Sequence, residues 1–442
     1  MKPNCCFVFF CLLLSNLAHA GDPLTSSFSK INNDIVISSV VPQAVITQTF
    51  TLTEAKKVLV VADGRYFPYT SNGIAQTNIQ IDNDNSFSNN SIINWKTSTN
   101  AVQHTFDCIA SATLSAGTHT IRLVASIHSS TPYTNFKIGS GTGLSILVDP
   151  APNMVSSKLT GDSGTISYAT YPTPGTAPVP VTTILTNQVN VGDIKTSVVT
   201  LSSGRSYKDC NEGDALWGLF LNDELCTNNG NALWSVNDIF KGAELQAPMF
   251  QHAFHNVTGN NTISLKAGEL SFNYFENAVC YKIGADTRLI SLYGMGLSGR
   301  ATLSTTYCNR EEWACFGTTV GTAGCPAVGT LHEVASAVVD IPNGHNGVML
   351  FLAKVRLQPD KDDVGGNAFL SLNIDGVDVG TLGVQEFKHP NGDSSRTISA
   401  SYLSAGANRL AVGSHTVKVF LKANGSYKSI SYSKDIPLIY FD

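Results

Sequence analysis

The stretch that decides the fold is written twice, as "LSAGTHTIRLVAS" at residues 114–126 and "LAVGSHTVKVFLK" at residues 410–422. In both copies a glycine, a hydroxyl residue and a histidine lead into a run in which apolar and polar residues alternate. A period of two is typical of a β-strand with one buried face, and a glycine at this place predicts a turn with positive φ. The apolar positions of the first face are Ile121, Leu123 and Ala125, and those of the second are Val417, Val419 and Leu421.

This turn and strand belong to a longer pattern that recurs three times. The middle counterpart is "VTGNNTISLKAG", and two further anchors accompany each copy: a strand that ends in an acidic turn, and a closing apolar strand. Matching anchors lie 140 to 145 residues apart between the first two copies and 149 to 154 apart between the last two. A constant register predicts a triplicated unit. The anchors are 79–83, 219–223 and 372–376 for the acidic turn, and 144–150, 288–294 and 436–442 for the closing strand.

Composition favours strands in every copy. Short alternating runs are separated by turns rich in glycine, asparagine and aspartate, as antiparallel hairpins require. The sequence therefore predicts an all-β protein of three tandem antiparallel β-sandwich modules with a jelly-roll character, at residues 21–150, 151–294 and 295–442. One short helix is expected, in the insertion Ala232–Gln246.

The first twenty residues have the form of a secretory signal peptide. A lysine precedes an apolar run from Cys5 to Leu14, and Ala18-His19-Ala20 provides an A-x-A cleavage site. The run is too short to span a bilayer, and no later segment is longer, so no transmembrane segment is expected. We therefore expect a mature chain from Gly21 that is secreted and resides outside the cell, at the cell surface or in the periplasm.

Charge and cysteine usage narrow the class further. Charged residues make up 14% of the chain and the net charge is −5, which disfavours nucleic acid as a partner. Seven cysteines follow the signal peptide, and export predicts disulfides rather than zinc. Cys210 and Cys226 flank a polar loop and are the expected pair. Two of Cys308, Cys315 and Cys325 are expected to pair, and the odd total leaves at least one thiol outside a disulfide within the chain.

The repeated turn and strand resemble those of TNF/C1q-like jelly rolls and of some carbohydrate-binding β-sandwiches. The resemblance covers one hairpin per copy. It implies architecture only, and no functional residue is transferred from it.

Candidate binding residues come from aromatic and acidic clusters. Sugars are bound by aromatic faces beside polar groups, so Trp234, Trp313, Tyr66 and Tyr69 are candidates, whereas Trp217 is expected in the core. No cofactor is expected, and clustered oxygen ligands, which also simply favour turns, make a structural calcium ion the one alternative. Its ligands would be Asp360, Asp362 and Asp363. Four glycosylation sequons are present, at Asn89, Asn256, Asn260 and Asn424.

No catalytic residue is predicted, because the sequence has no nucleophile elbow, HExxH or phosphate-binding loop. The repeated histidines, His119 and His415, are expected to have a structural role, either hydrogen-bonding a loop or lying against the next strand. The favoured function is a non-enzymatic extracellular protein of cell-surface structure or adhesion. A lectin-like carbohydrate-binding protein is the alternative, and a secreted glycan hydrolase with two convergent carboxylates is a third. The partner would be an extracellular protein or a glycan, and a homo-oligomer remains open.

Overall fold

A computed structural model describes most of the chain, and all structural statements below concern the residues that it describes. These are 26–68, 72–89, 91–96, 104–128, 135–164, 166, 181–193, 195–208, 214–225, 233–236, 244–270, 281–296, 314–316, 329–344, 346–359, 366–387, 396–425, 430–435 and 438–440. Within these ranges the fold is all-β and its sheets are antiparallel, as the sequence predicts.

The first sheet pair contains an inner sheet, ordered β1-β10-β4-β9-β2 with β7 beside β4, and an outer sheet, ordered β3-β8-β5-β6. The strands are β1 (Ser27–Lys30), β2 (Ile35–Ile37), β3 (Gln43–Leu52), β4 (Lys56–Pro68), β5 (Asn72–Ile81), β6 (Ser91–Lys96), β7 (His104–Leu114), β8 (Gly117–Ile127), β9 (Phe136–Ile138) and β10 (Gly143–Val148).

The second sheet pair contains an inner sheet, ordered β11-β20-β13-β17 with β19 beside β13, and an outer sheet, ordered β12-β18-β14-β15 with β16 beside β14. The strands are β11 (Asn153–Lys158), β12 (Thr182–Asn190), β13 (Thr196–Lys208), β14 (Asp214–Leu221), β15 (Glu224–Leu225), β16 (Leu233–Val236), β17 (Glu244–Val257), β18 (Asn260–Leu270), β19 (Tyr281–Ile283) and β20 (Arg288–Gly296).

The third sheet pair contains an inner sheet, ordered β21-β28-β23-β26 with β29 beside β23, and an outer sheet, ordered β22-β27-β24-β25. The strands are β21 (Ala314–Phe316), β22 (Leu331–Ile341), β23 (Met349–Pro359), β24 (Gly366–Ile374), β25 (Val377–Phe387), β26 (Arg396–Ser404), β27 (Gly413–Gly425), β28 (Ile430–Asp435) and β29 (Leu438–Tyr440); a 3-10 turn at Gly406–Asn408 precedes β27.

All three pairs share one strand order. In the first pair, four inner strands follow the order β1-β10-β4-β7, with the short strands β9 and β2 also in that sheet, and the outer sheet is β3-β8-β5-β6. The second and third pairs repeat the inner order with β11-β20-β13-β17 and β21-β28-β23-β26. Apart from hairpins within one sheet, such as β5-β6 and β24-β25, the long strands alternate between the two sheets in the jelly-roll manner.

The helix expected at Ala232–Gln246 is wrong in its described parts. Residues 233–236 form β16, which pairs with β14 so that Trp234 lies opposite Trp217, and Glu244 begins β17. The backbone of this segment pairs with β14, so long-range strand pairing overrides the local helical pattern.

Inner-sheet strands are apolar on both faces. In β4, Val58, Val60 and Ala62 fill the first pair's own core, while Leu59 and Val61 point away from it, and all five are 0% exposed. A continuous apolar run is the signature of a strand that is covered on both sides.

The outward faces of the three inner sheets meet in one buried cluster, the central core, to which every sheet pair contributes. Burial of this surface stabilises the contact among the pairs, because apolar area removed from water contributes roughly 25 cal/mol per Å². The residues of the central core are Leu59, Val61, Ile109, Leu147, Ala151, Val199, Leu201, Ile290, Leu292, Val348, Leu350, Leu352, Leu403 and Ala405.

One close backbone approach is repeated in the first two pairs. A Cβ added at Gly64 would lie 2.1 Å from Thr142 Oγ1, and a Cβ added at Gly204 would lie 2.2 Å from Thr287 Oγ1. The two glycines occupy matching places in the repeat, in the tripeptides "DGR" (63–65) and "SGR" (203–205). The conserved role of glycine within the repeat is therefore to admit a threonine side chain against the strand.

Candidate functional site

The repeated histidine fastens a hairpin in the first and third sheet pairs. His119 Nδ1 lies 2.7 Å from Asp82 Oδ2 and His119 Nε2 lies 2.9 Å from the Ser115 carbonyl oxygen. His415 makes the same two contacts, with Asp375 at 2.7 Å and with a carbonyl oxygen at 2.8 Å. The expected hydrogen bond from histidine to a loop is confirmed, so the histidine has a structural role.

The second sheet pair builds the same joint from two amides. Asn222 Nδ2 donates to Asn261 Oδ1 at 2.8 Å, and Asn222 Oδ1 accepts from the Thr262 backbone N–H at 2.8 Å. Asp82 and Asp375 accept from the equivalent N–H groups, also at 2.8 Å. The acidic or amide residue begins a turn in which two successive residues have positive φ, as a tight hairpin requires.

The charged version of this joint perturbs both partners. Partial burial lowers the pKa of His119, but the hydrogen bonds to Asp82 and Ser115 together raise it by more, so its pKa lies above the usual value. His415 behaves in the same way. The histidine hydrogen bond is the first cause that lowers the pKa of Asp375. An imidazolium held by a carboxylate and a carbonyl oxygen has no free nitrogen for chemistry.

An open depression lies on the outer sheet of the third pair. This outer-sheet cleft has a volume of about 710 Å³. Strand alternation sends every second residue of β24 and β27 to this face, while Val417, Val419 and Leu421 point into the core. The cleft is lined by Leu331, Asn373, Asp375, Gly376, Asp378, Thr416, Lys418 and Phe420.

The polar groups of the outer-sheet cleft are held by their neighbours. Asn373 Nδ2 donates to Asp378 Oδ1 at 3.1 Å, and Asn373 Oδ1 accepts from the Gly376 N–H at 2.9 Å. Lys418 Nζ lies 2.7 Å from Glu333 Oε2 on the adjacent strand. The side chains are therefore oriented before any ligand arrives, which lowers the entropic cost of binding.

The apolar groups of the cleft remain accessible. Leu331 is 65% exposed and Phe420 is half-buried. The second pair differs: its outer-face aromatic, Phe220, is 1% exposed and Lys266 Nζ lies 4.7 Å above its ring centroid. Of these two outer faces, the one in the third sheet pair therefore has the more accessible aromatic ring.

A smaller polar cleft of about 220 Å³ lies on the outer sheet of the first pair. Amide, hydroxyl and imidazole groups line it together with short apolar side chains, and it contains no carboxylate or ammonium group. Its lining residues are Val40, Pro42, Gln76, Asn78, Asn85, Val124, Ser126, Ile127 and His128.

Two carboxylates are buried where the first and third pairs meet. Asp63 of β4 and Asp107 of β7 are opposite each other in register and are 0% and 1% exposed. Ser399 Oγ, from the third pair, donates to Asp107 Oδ1. Burial is the main cause that raises the pKa of Asp63 to about 7, and the charge of Asp107 adds to it. A substrate cannot reach this pair in the folded protein.

Tyr66 is wrong as a sugar-binding candidate. It is 0% exposed because the alternation of β4 turns it into the core with Val60 and Ala62. Its hydroxyl lies 2.9 Å from Thr77 Oγ1, and its ring packs 4.8 Å from that of Phe106. Burial raises the pKa of its hydroxyl far above its usual value.

The remaining predicted site residues cannot be compared with the structure. Tyr69, Trp313, the calcium candidates Asp360, Asp362 and Asp363, and Cys210, Cys226, Cys308 and Cys325 lie outside the described residues. Trp234 and Cys315 are described only as backbone positions of β16 and β21. Within the described residues no cluster of three metal-ligating side chains occurs, and no helix there is long and apolar enough to cross a membrane.

Three features of the core complete the comparison. Trp217 is 0% exposed, so its expected core position is confirmed. Cys108 is a buried free thiol, and burial raises its pKa to about 12. The sequon residue Asn89 is also 0% exposed, and its amide bonds Ile109 N–H at 2.6 Å and Ser203 Oγ at 3.1 Å. This asparagine joins the first two pairs and is closed to glycosylation in the folded chain.

Comparison with known proteins gives no family. No family model matches the sequence, and no curated protein matches it. Among solved structures, a peptide-N(4)-(N-acetyl-β-D-glucosaminyl) asparagine amidase is 10% identical, covering 60% of this chain and 98% of that one, with a TM-score of 0.28.

Two further structures show equally distant similarity. PNGase F, a glycosylasparaginase from Flavobacterium meningosepticum, is 12% identical over 60% of this chain and 98% of its own, with a TM-score of 0.24. A structure of the triple jelly roll fold and turret assembly in an archaeal virus is 8% identical over 95% of this chain and 90% of its own, with a TM-score of 0.17.

Proposed function

We propose that the chain is a secreted, non-enzymatic protein of extracellular structure or adhesion, in which three sandwich units act as one rigid body. The central core carries this proposal. Its residues come from all three inner sheets and are fully buried or nearly so. A buried apolar contact of this kind resists relative motion of its parts, whereas loosely linked domains share small and polar contacts.

Polar contacts between the pairs support the same interpretation. Thr105 Oγ1 donates to the Val384 carbonyl oxygen at 2.9 Å, and the Leu382 N–H donates to the Gly141 carbonyl oxygen at 3.1 Å. The first contact is buried. Buried hydrogen bonds have fixed geometry, so they set the relative orientation of the first and third pairs.

A non-enzymatic role fits the placement of the one carboxylate pair opposed in register in the described inner sheets. Asp63 and Asp107 face each other but are closed to solvent. A glycoside hydrolase needs two carboxyl groups on either side of an accessible bond. These two buried residues therefore affect the stability of the fold and do not act on a substrate.

The proposal is tested by locating the protein and by weighing it. Intact source cells are labelled with a membrane-impermeant amine reagent, and the purified mature chain is examined by light scattering and by unfolding. We expect labelling on intact cells, a discrete oligomer or filament, and a single unfolding transition. Recovery from the cytoplasm alone, three separate transitions, or turnover of a glycan by the purified chain would contradict the proposal.

A further inference from the structure

We propose that the outer-sheet cleft of the third pair is a binding site for a neutral saccharide. This deepens the proposed extracellular function, on which it rests, by naming the ligand class through which the body would attach to a surface. A sugar ring has an apolar C–H face and a rim of hydroxyl groups, and the cleft offers a counterpart to each.

The apolar face has two accessible contacts. Phe420 and Leu331 border the same depression, and Leu331 is 65% exposed. A saccharide that packs on them buries apolar surface that is otherwise in water. An aromatic ring left partly open beside convergent polar groups is the usual composition of a small-molecule site.

The hydroxyl rim has fixed partners. The Asn373 amide holds one oxygen of Asp378, which directs the carboxylate along the cleft, and Thr416 adds a hydroxyl group. Carboxylate and amide groups accept and donate hydrogen bonds to adjacent hydroxyls, and a charged acceptor forms the stronger bonds.

The aromatic ring is particular to the third pair. Phe420 of β27 lies opposite Ser371 of β24, at the place where the second pair has Lys266 opposite Gly218. Lys266 lies 4.7 Å above the ring centroid of Phe220, whereas Lys418 of the third pair lies 2.7 Å from Glu333.

Charge at the cleft decides which saccharides fit. Asp375 and Asp378 line the cleft with one lysine, Lys418. Asp375 is paired with His415 and Lys418 with Glu333, so the residues that line the cleft offer no excess of cations to an acidic glycan. A sulfated or uronic glycan would meet like charges, and charge mismatch at an interface costs affinity. The ligand is therefore neutral rather than acidic.

The test uses the full mature chain on an array of neutral, acidic and amino saccharides, followed by calorimetry with the tightest neutral ligand. Phe420→Ala removes the ring, Leu331→Ala removes the exposed aliphatic contact, and Asp378→Asn keeps the shape but removes the charge. Val338→Ala is the matched control, since Val338 is 66% exposed on the same outer sheet and does not line the cleft.

We expect binding of a neutral saccharide that weakens at least about tenfold in Phe420→Ala and several-fold in the other two variants. The control should stay within about twofold of wild type. Should Phe420→Ala unfold, Leu331→Ala decides the matter, because its side chain is mostly in solvent. The proposal is overturned if no neutral saccharide binds, if only acidic glycans bind, or if all three variants bind like wild type. The extracellular location would then still be decided separately, by the labelling of intact cells.

Discussion

Asp63→Asn should stabilise the protein at alkaline pH and have much less effect at acidic pH. Asp63 is 0% exposed, faces Asp107, and lies near the hydroxyl groups of Thr381 and Ser401 without a hydrogen bond of normal geometry to either oxygen within the described residues. Lys354 of the third pair's inner sheet is also buried, opposite Ser399 in register. Burial is the dominant cause that raises the pKa of Asp63 from 3.8 to about 7.

The magnitude follows from proton linkage. A carboxyl group whose pKa is raised on folding holds its proton more tightly in the native state, so stability is greatest at low pH and falls as pH rises from about 4 to about 7. At 1.36 kcal/mol per pKa unit, the full penalty above pH 7 is roughly 4 kcal/mol. About 3 kcal/mol of this penalty accumulates between pH 4.5 and pH 8.5. Asparagine has nearly the same shape and does not ionise.

The assay is chemical unfolding of wild type, Asp63→Asn and the control Asp193→Asn at pH 4.5, 6.5 and 8.5. Asp193 is exposed, so its variant reports the effect of an ordinary surface substitution. Taking the difference between wild type and each variant cancels the titrating groups that do not interact with the substituted residue. We expect the Asp63→Asn gain to grow by about 3 kcal/mol across the range. A gain that stays constant within about 1 kcal/mol would refute the reasoning, since a buried carboxyl group must register its ionisation.

Three further predictions concern the repeated joint, the close approach and the thiol. His119→Ala should lower the free energy of unfolding by about 1–2 kcal/mol. The loss should be larger below pH 6.5, because the raised pKa of His119 stabilises the native state there, and this stabilisation disappears as the pH rises through the pKa of the folded state. The double variant Asp82→Asn/His119→Asn, which copies the second pair, should recover most of the loss in urea unfolding. Gly64→Ala should cost about 3 kcal/mol or more, since the added Cβ would lie 2.1 Å from a threonine hydroxyl, whereas Gly161→Ala, with nothing within 4 Å, should change the melting temperature little. Cys108 should react with a maleimide only in denaturant; rapid labelling of the native chain would show that the first core is open.

The strand pattern could be predicted from the sequence because a period of two is a local signal. Gly117 and Gly413 have φ of 139° and 128°, as their place before the repeated strands predicts. The acidic turn was also visible, since Asp82 and Asp375 precede residues that tolerate positive φ. The sequence predicts that the histidine hydrogen-bonds a loop but not which residue accepts, because Asp82 and His119 are 37 residues apart in the first copy.

The sites were harder to predict, because burial depends on what covers a strand. The aromatic ring of Tyr66 makes it a sugar-binding candidate, yet the alternation of side chains along β4 places it on the same face as the core residues Val60 and Ala62. The outer-sheet cleft was missed since its members come from three strands and carry no motif. Phe420 alternates with core positions in the quoted strand itself, which is the one local signal that it faces outward.

The central core has a consequence for how any function of this chain can be measured. Its members lie in unbroken apolar runs of the sequence, such as Val58–Ala62. A strand alternates between apolar and polar residues only where one of its faces meets solvent. A single unit cut after Pro150 would expose Leu59, Val61 and Ile109 together, and a contiguous apolar patch of this kind promotes aggregation. A failure of one isolated unit to bind a glycan would therefore report exposure of its inner sheet and not the absence of a site on its outer sheet. Because the inner face of each unit packs on the other two pairs, the proposed saccharide binding on an outer sheet must be measured on the whole chain.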